Sequence, residues 1–111
     1  PMAVALRGVK RGNISIGDNV VVFGLGPIGL FSAQWAKLKG ARMVIGVDRN
    51  AHKRDIAHKC GIDYTLNSSD PDFDNQLESL LGKNGADKVI ECSGANIFQE
   101  KSINIVKIYV L

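Results

Sequence analysis

Val20-Val21-Val22-Phe23-Gly24-Leu25-Gly26-Pro27-Ile28-Gly29 is a short apolar run that ends in Gly-x-Gly-x-x-Gly. Beyond it, Ile28, Phe31, Trp35 and Leu38 repeat at helical spacing. This order predicts a strand that turns sharply into a helix whose amino end faces a pyrophosphate. Gly24 suits the tight turn. Gly26 lets the backbone approach the phosphates. Gly29 lets the helix lie close on the strand. Pro27 fits the first helical turn, where its missing N–H costs little. Gly40 closes the helix. One such motif is weak alone in a chain with 12 glycines, so its neighbours must decide.

Outward from the loop, strands and helices alternate. Asn19–Phe23 reads as a buried strand, with apolar residues running on as expected where both sheet faces are covered. Arg42–Val47 reads as a second strand, Tyr64–Leu66 as a short third and Asp87–Cys92 as a fourth. Between them, Asn50 caps a helix that stops at Gly61. Asp70 caps another with Pro71 at its first position and Phe73, Leu77, Leu80 and Leu81 inward. A leading amphipathic helix is expected over residues 2–12, a further one after Asn96, and a fifth strand at Ile108–Leu111. The alternation predicts one α/β domain over residues 1–111. Its core is a doubly wound parallel sheet of about five strands, order 3-2-1-4-5, with helices on both faces.

The glycine motif carries its own test, an acidic residue at the end of the second strand about 20 residues on. Asp48 follows Val44-Ile45-Gly46-Val47 and stands 19 residues past Gly29. A carboxylate there accepts two ribose hydroxyls and repels a 2′-phosphate, which favours NAD over NADP. Arg49 beside it suits either a 2′-phosphate or the adenine plane. Lys53, one turn past the cap, suits the ribose edge or open solvent. Ser93 and Gly94, after the fourth strand, either border the cofactor or form a plain strand-to-helix turn. The expected cofactor contacts are therefore Gly24, Gly26, Pro27, Ile28, Gly29, Asp48, Arg49, Lys53, Ser93 and Gly94.

Other chemistry is sparse. His58 and Cys60 stand two apart on a helix and point to different sides. No Cys-x-x-Cys, His-Glu-x-x-His or Tyr-x-x-x-Lys occurs, and no catalytic or metal-ligating residue is assigned. Cys92 reads as a buried strand residue. The net charge of +3 and the lack of interleaved aromatics around Arg49, Lys53, Arg54 and Lys59 argue against nucleic acid. No apolar run reaches membrane-spanning length. Arg7, Lys10 and Arg11 follow the apolar opening, the reverse of a secretory signal. Two cysteines far apart fit a reducing cytoplasm.

Residues Gly17–Leu30, Ala33-Gln34-Trp35-Ala36-Lys37, Gly46-Val47-Asp48 and Gly85–Gly94 resemble the cofactor domain of zinc-dependent medium-chain alcohol and polyol dehydrogenases, the sorbitol and threonine dehydrogenase group. The resemblance runs over residues 1–106. It implies a Rossmann domain that binds NAD(H) for hydride transfer between an alcohol and a carbonyl. It also supports Asp48 and Lys53 as ribose contacts, with Gly24 to Gly29 at the pyrophosphate. That family's zinc ligands lie upstream in a barrel-like domain, so zinc is expected only there, and the small alcohol or polyol substrate with it. The opening proline and the missing sixth strand suggest a cofactor cassette of a longer enzyme, not catalytic alone. Val106-Lys107-Ile108 lacks the family's turn, which makes residues 107–111 a frayed tail or a last strand. The competing reading is a truncated, non-catalytic module that self-associates through its open sheet edge into a homo-oligomer. A methyltransferase shares the glycine loop and the acidic strand end, but Pro27-Ile28-Gly29 fits a dinucleotide better.

Overall fold

A computed structural model describes residues 14–83, 85–92 and 107–110. The expected helices over 2–12 and after Asn96, and the expected contacts Ser93 and Gly94, lie outside the described residues. Within them the chain forms β1 (Asn19–Phe23), α1 (Pro27–Leu38), β2 (Met43–Val47), α2 (Ala51–Lys59), β3 (Tyr64–Leu66), α3 (Phe73–Leu81), β4 (Lys88–Glu91) and β5 (Lys107–Val110). The sheet order is β3-β2-β1-β4-β5. β1 to β4 run parallel, with Val21 beside both Ile45 and Val89 and Gly46 beside Thr65.

The fifth strand departs from expectation. β5 pairs antiparallel with β4, Lys88 opposite Val110 and Glu91 opposite Lys107, so the parallel sheet has four strands. A parallel neighbour needs a full crossover, whereas an antiparallel one needs only a chain reversal. Four apolar-rich residues carry no mark of direction.

Period-two alternation sorts the strand side chains between two cores. Val20, Val22, Val44 and Ile90 point to the face covered by Ala33 and Ala36 of α1 and Ala57 of α2. Val21, Ile45 and Val47 point to the other, where Phe73, Leu77, Leu80 and Leu81 of α3 pack. Both faces are thus covered, which is why β1 and β2 read as unbroken apolar runs.

In α1 the apolar residues at helical spacing are not, apart from Ile28, the buried ones. Its buried residues are Ile28, Gly29, Ser32, Ala33 and Ala36. Phe31 and Trp35 are half-buried and stack with centroids 6.4 Å apart, and Leu38 is 80% exposed. The helix lies so close on the sheet that a Cβ on Gly29 would collide with the Gly24 carbonyl oxygen. Past Ile28 that contact row is made of small residues, and Phe31, Trp35 and Leu38 turn to the flanks or outward.

The caps agree in part. Asn50 Oδ1 accepts the Lys53 N–H at 3.0 Å, and Gly61 follows α2 at φ 91°. α3 begins two residues later than expected, with Asp72 at its cap position. Asp70 Oδ1 accepts the Asp72 N–H and Asp70 O accepts that of Phe73, both at 2.9 Å. Asp70 therefore shapes the turn that leads into the helix.

A polar anchor pins the amino end of the sheet. Lys88 Nζ lies 2.9 Å from Asp18 Oδ2, with side chains 11% and 13% exposed. Asp18 Oδ2 also accepts the Ser15 N–H at 2.8 Å. Burial pushes the Asp18 carboxyl up, but the Lys88 and Ser15 hydrogen bonds and the Lys88 charge outweigh it and hold the pKa below its ordinary 3.8.

Candidate functional site

The site grows from the end of β1. Gly24 turns at φ 94°, a left-handed conformation that glycine adopts freely, while its N–H still donates to Val47 O at 2.8 Å. The next N–H, of Leu25, donates to Asp48 Oδ2 at 2.8 Å. The Leu25 side chain is buried against Gly46, where an added Cβ would come within 2.8 Å of Leu25 Cδ2. Gly26 caps α1 with no side-chain bond to the helix's first N–H groups. Those groups carry the positive end of the helix.

In front of this loop opens a cleft of about 520 Å³ at the carboxyl ends of β1 to β4. Phe23, Gly24 and Gly26 line it from the first strand and its loop. Val47, Asp48 and Arg49 line it from the second, with Lys53 of α2. Ser68 enters after β3 and Cys92 after β4. A doubly wound sheet places ligands at this end, where the strand order reverses.

Among the expected contacts, Gly24, Gly26, Asp48, Arg49 and Lys53 therefore meet around one cleft. Pro27, Ile28 and Gly29 are not among its lining residues. Pro27 is exposed at the first helical position, while Ile28 and Gly29 are buried behind the loop. Gly29 acts through packing.

Asp48 is held on both oxygens, Oδ2 by Leu25 and Oδ1 by the Asn50 N–H at 2.8 Å. Each carboxylate oxygen keeps a further lone-pair direction. Arg49 and Lys53 are exposed at the rim, and the first turn of α2 holds no acidic residue. Cys92 is half-buried, and its thiol donates to Ser32 Oγ at 3.9 Å. Burial pushes that thiol up to about 11; the Ser32 contact opposes the rise and the Glu91 charge adds to it. This is a poor nucleophile.

Ser68 and Arg54 escaped the sequence reading. Ser68 was within reach of the rule that parallel strands offer ligands their carboxyl ends. Arg54 reads only within a group of four cations, as a solvated helix face or as a charge toward a phosphorylated ligand, and not as a partner of the backbone. It turns back instead, and Nη1 donates to Asp48 O at 2.9 Å and to Arg49 O at 3.0 Å.

Gly26 tests whether the cleft suits a dinucleotide. Its φ of −72° is open to any residue, and a Cβ there would meet no protein atom within 4 Å. Neither conformation nor internal packing asks for glycine. The bare backbone faces the cleft, which fits a group that approaches from outside. Among the described residues no three His, Cys, Asp or Glu side chains gather as a metal site, and no helix is long and apolar enough to cross a membrane.

The fold and the cleft define a Rossmann-type domain. Residues 27–109 match the model of the zinc-binding dehydrogenase family, and the chain belongs to that family. It is 48% identical over 94 residues to the D-guloside 3-dehydrogenase of Escherichia coli, covering 85% of this chain and 27% of that protein. The crystal structure of a protein from Clostridium scindens described as a zinc-binding dehydrogenase superposes with a TM-score of 0.78 at 33% identity, over 86% of this chain and 27% of that one. A similarly described protein from Sinorhizobium meliloti, solved bound to NADP, gives a TM-score of 0.73 at 38% identity, over 86% and 28%. The chain thus spans just over a quarter of the length of these relatives.

Proposed function

We propose that residues 1–111 are the NAD(H)-binding domain of a medium-chain dehydrogenase acting on a small alcohol or polyol. The observation that carries this reading is the pairing of a bare Gly26 backbone with the Asp48 carboxylate around one cleft. Gly26 and the start of α1 suit a pyrophosphate, and the free lone pairs of Asp48 suit the ribose hydroxyls. The nicotinamide, when bound, supplies the hydride chemistry, and this chain binds and orients it. The zinc that polarises the alcohol belongs to the rest of the enzyme. The two free cysteines, Cys60 and Cys92, accord with a reducing cytoplasm.

A second reading extends the first. Arg49 and Lys53 flank Asp48 at the rim, and the Sinorhizobium relative holds NADP. Both favour some tolerance of a 2′-phosphate, with NADH still preferred because Asp48 faces the same edge.

Titration with NADH and with NADPH tests both, read as energy transfer from Trp35, the single tryptophan. Saturable binding with NADH the tighter ligand is expected. A folded chain that stays indifferent to millimolar nucleotide and scatters light as an oligomer supports the self-associating module instead.

A further inference from the structure

We propose that Arg54 is a positioning residue that aims the Asp48 carboxylate and so sets the preference for a free ribose 2′-hydroxyl. The inference rests on the dinucleotide reading of the cleft and adds to it a residue outside the cleft lining.

The geometry runs through one peptide group. The carbonyl of Arg49 accepts Arg54 Nη1 at 3.0 Å. The N–H of the same trans peptide, on Asn50, donates to Asp48 Oδ1 at 2.8 Å. C=O and N–H point to opposite sides of a planar amide, so holding one aims the other. The preceding carbonyl, of Asp48 itself, accepts the same Nη1 at 2.9 Å. Both peptide planes of the turn are thus fixed from one side by a planar cation. On the far side, Asp48 Oδ2 takes the Leu25 N–H of the glycine loop. Arg54, the 49–50 peptide, Asp48 and Leu25 form one chain of hydrogen bonds from helix to loop.

The placement is costly without such a role. The amino end of a helix disfavours cations, yet α2 carries Lys53 and Arg54 in its first turns and no acidic residue in the first. Bonding to two carbonyls, the guanidinium sits on partial negative charge and stays half-buried. A loosened turn would let Asp48 swing and Arg49 drop toward the ribose, which favours a 2′-phosphate.

The test uses the full chain with Arg54→Met and Arg54→Lys. Without nucleotide, amide exchange at Asn50 and Leu25 is expected to quicken roughly tenfold in the methionine variant, about the net worth of one hydrogen bond, while Val21 is unmoved. The dissociation constant for NADH is expected to rise by a similar factor and that for NADPH by less, so their ratio narrows. The lysine variant, with one compact donor group for two carbonyls, falls between. If only the lysine variant folds, its exchange and ratio decide on the same terms. Wild-type exchange at Leu25 and Asn50, or equal weakening of both nucleotides, overturns the proposal. A wild-type chain that binds neither nucleotide overturns the cleft reading and the specificity role together. A binding chain whose ratio does not move removes Arg54 alone.

Discussion

Leu25 is tied to Asp48 by its backbone and to the strand before Asp48 by its side chain. The Leu25 N–H donates to Asp48 Oδ2 at 2.8 Å, and the Leu25 side chain is buried against Gly46 of β2, the strand whose last residue, Val47, directly precedes Asp48. The loop that faces the cleft and the acidic residue across from it therefore form one unit. Asp48 is a structural member of the loop before any ligand arrives, so substitutions there act on stability and binding together.

Asp48→Asn is expected to show both effects. An amide can accept only one of the two N–H groups now held, and its own NH₂ must face the other. The variant is expected to lose about 1 kcal/mol of stability, the net worth of one hydrogen bond at a partly exposed site, seen as a lower Tm. NADH affinity is expected to fall as well. An unchanged Tm would show that the two backbone bonds contribute nothing, and an unchanged affinity would remove Asp48 from the ribose.

Gly26→Ala and Gly29→Ala should behave oppositely. At Gly29 the new methyl meets the Gly24 carbonyl, so α1 must shift, at an expected cost of about 1–3 kcal/mol or more. At Gly26 the methyl meets nothing, and stability should change by no more than about 1 kcal/mol. On the proposed dinucleotide reading its methyl projects where the pyrophosphate needs the backbone, so NADH affinity is expected to drop at least tenfold, by about 1.4 kcal/mol. Thermal melts and NADH titrations of both variants check this. A Gly26→Ala chain that binds as well as wild type would leave the glycine without a role.

The strands and the loop were legible because their signals are local. An apolar run ends in a glycine that needs φ 94°, and an aspartate follows at the strand length the fold demands. The inner stripe of α1 was not legible, because periodicity weighs apolar bulk. Phe31, Trp35 and Leu38 outweigh Gly29, Ala33 and Ala36 in any such count, yet close helix–sheet contact selects the small set. Arg54 was hidden for a related reason: a long cation can fold back on its own helix start, and spacing does not record which way it turns. The direction of β5 depends on residues far from its own four.

Asp18 makes stability depend on acid. Its carboxyl titrates below the ordinary 3.8 in the folded chain, so the unfolded chain binds a proton first as pH falls. Its contribution is fully present above that value and is lost as pH drops through the lower folded one. Asp18→Asn removes the Lys88 ion pair, leaving that nearly buried ammonium without its carboxylate. The variant is expected to melt well below wild type at neutral pH, with the gap closing as pH falls below 3.8 and through the lower folded value. Melts across that range check it, and a gap of constant size would show that the ion pair does not supply the stability.

The two thiols should separate by rate and by protection. Cys60 is exposed just past α2, whereas Cys92 is half-buried at the cleft with its thiol pushed up to about 11. At about pH 8 only about one Cys92 in a thousand is thiolate, so iodoacetamide is expected to label Cys60 first and Cys92 slowly, followed by mass spectrometry of the peptides. Because Cys92 lines the cleft beside Gly24 and Gly26, bound NADH should slow its labelling further and leave Cys60 unchanged. Equal protection of both thiols would point to a general tightening of the chain, and protection of neither would place the nucleotide away from the end of β4.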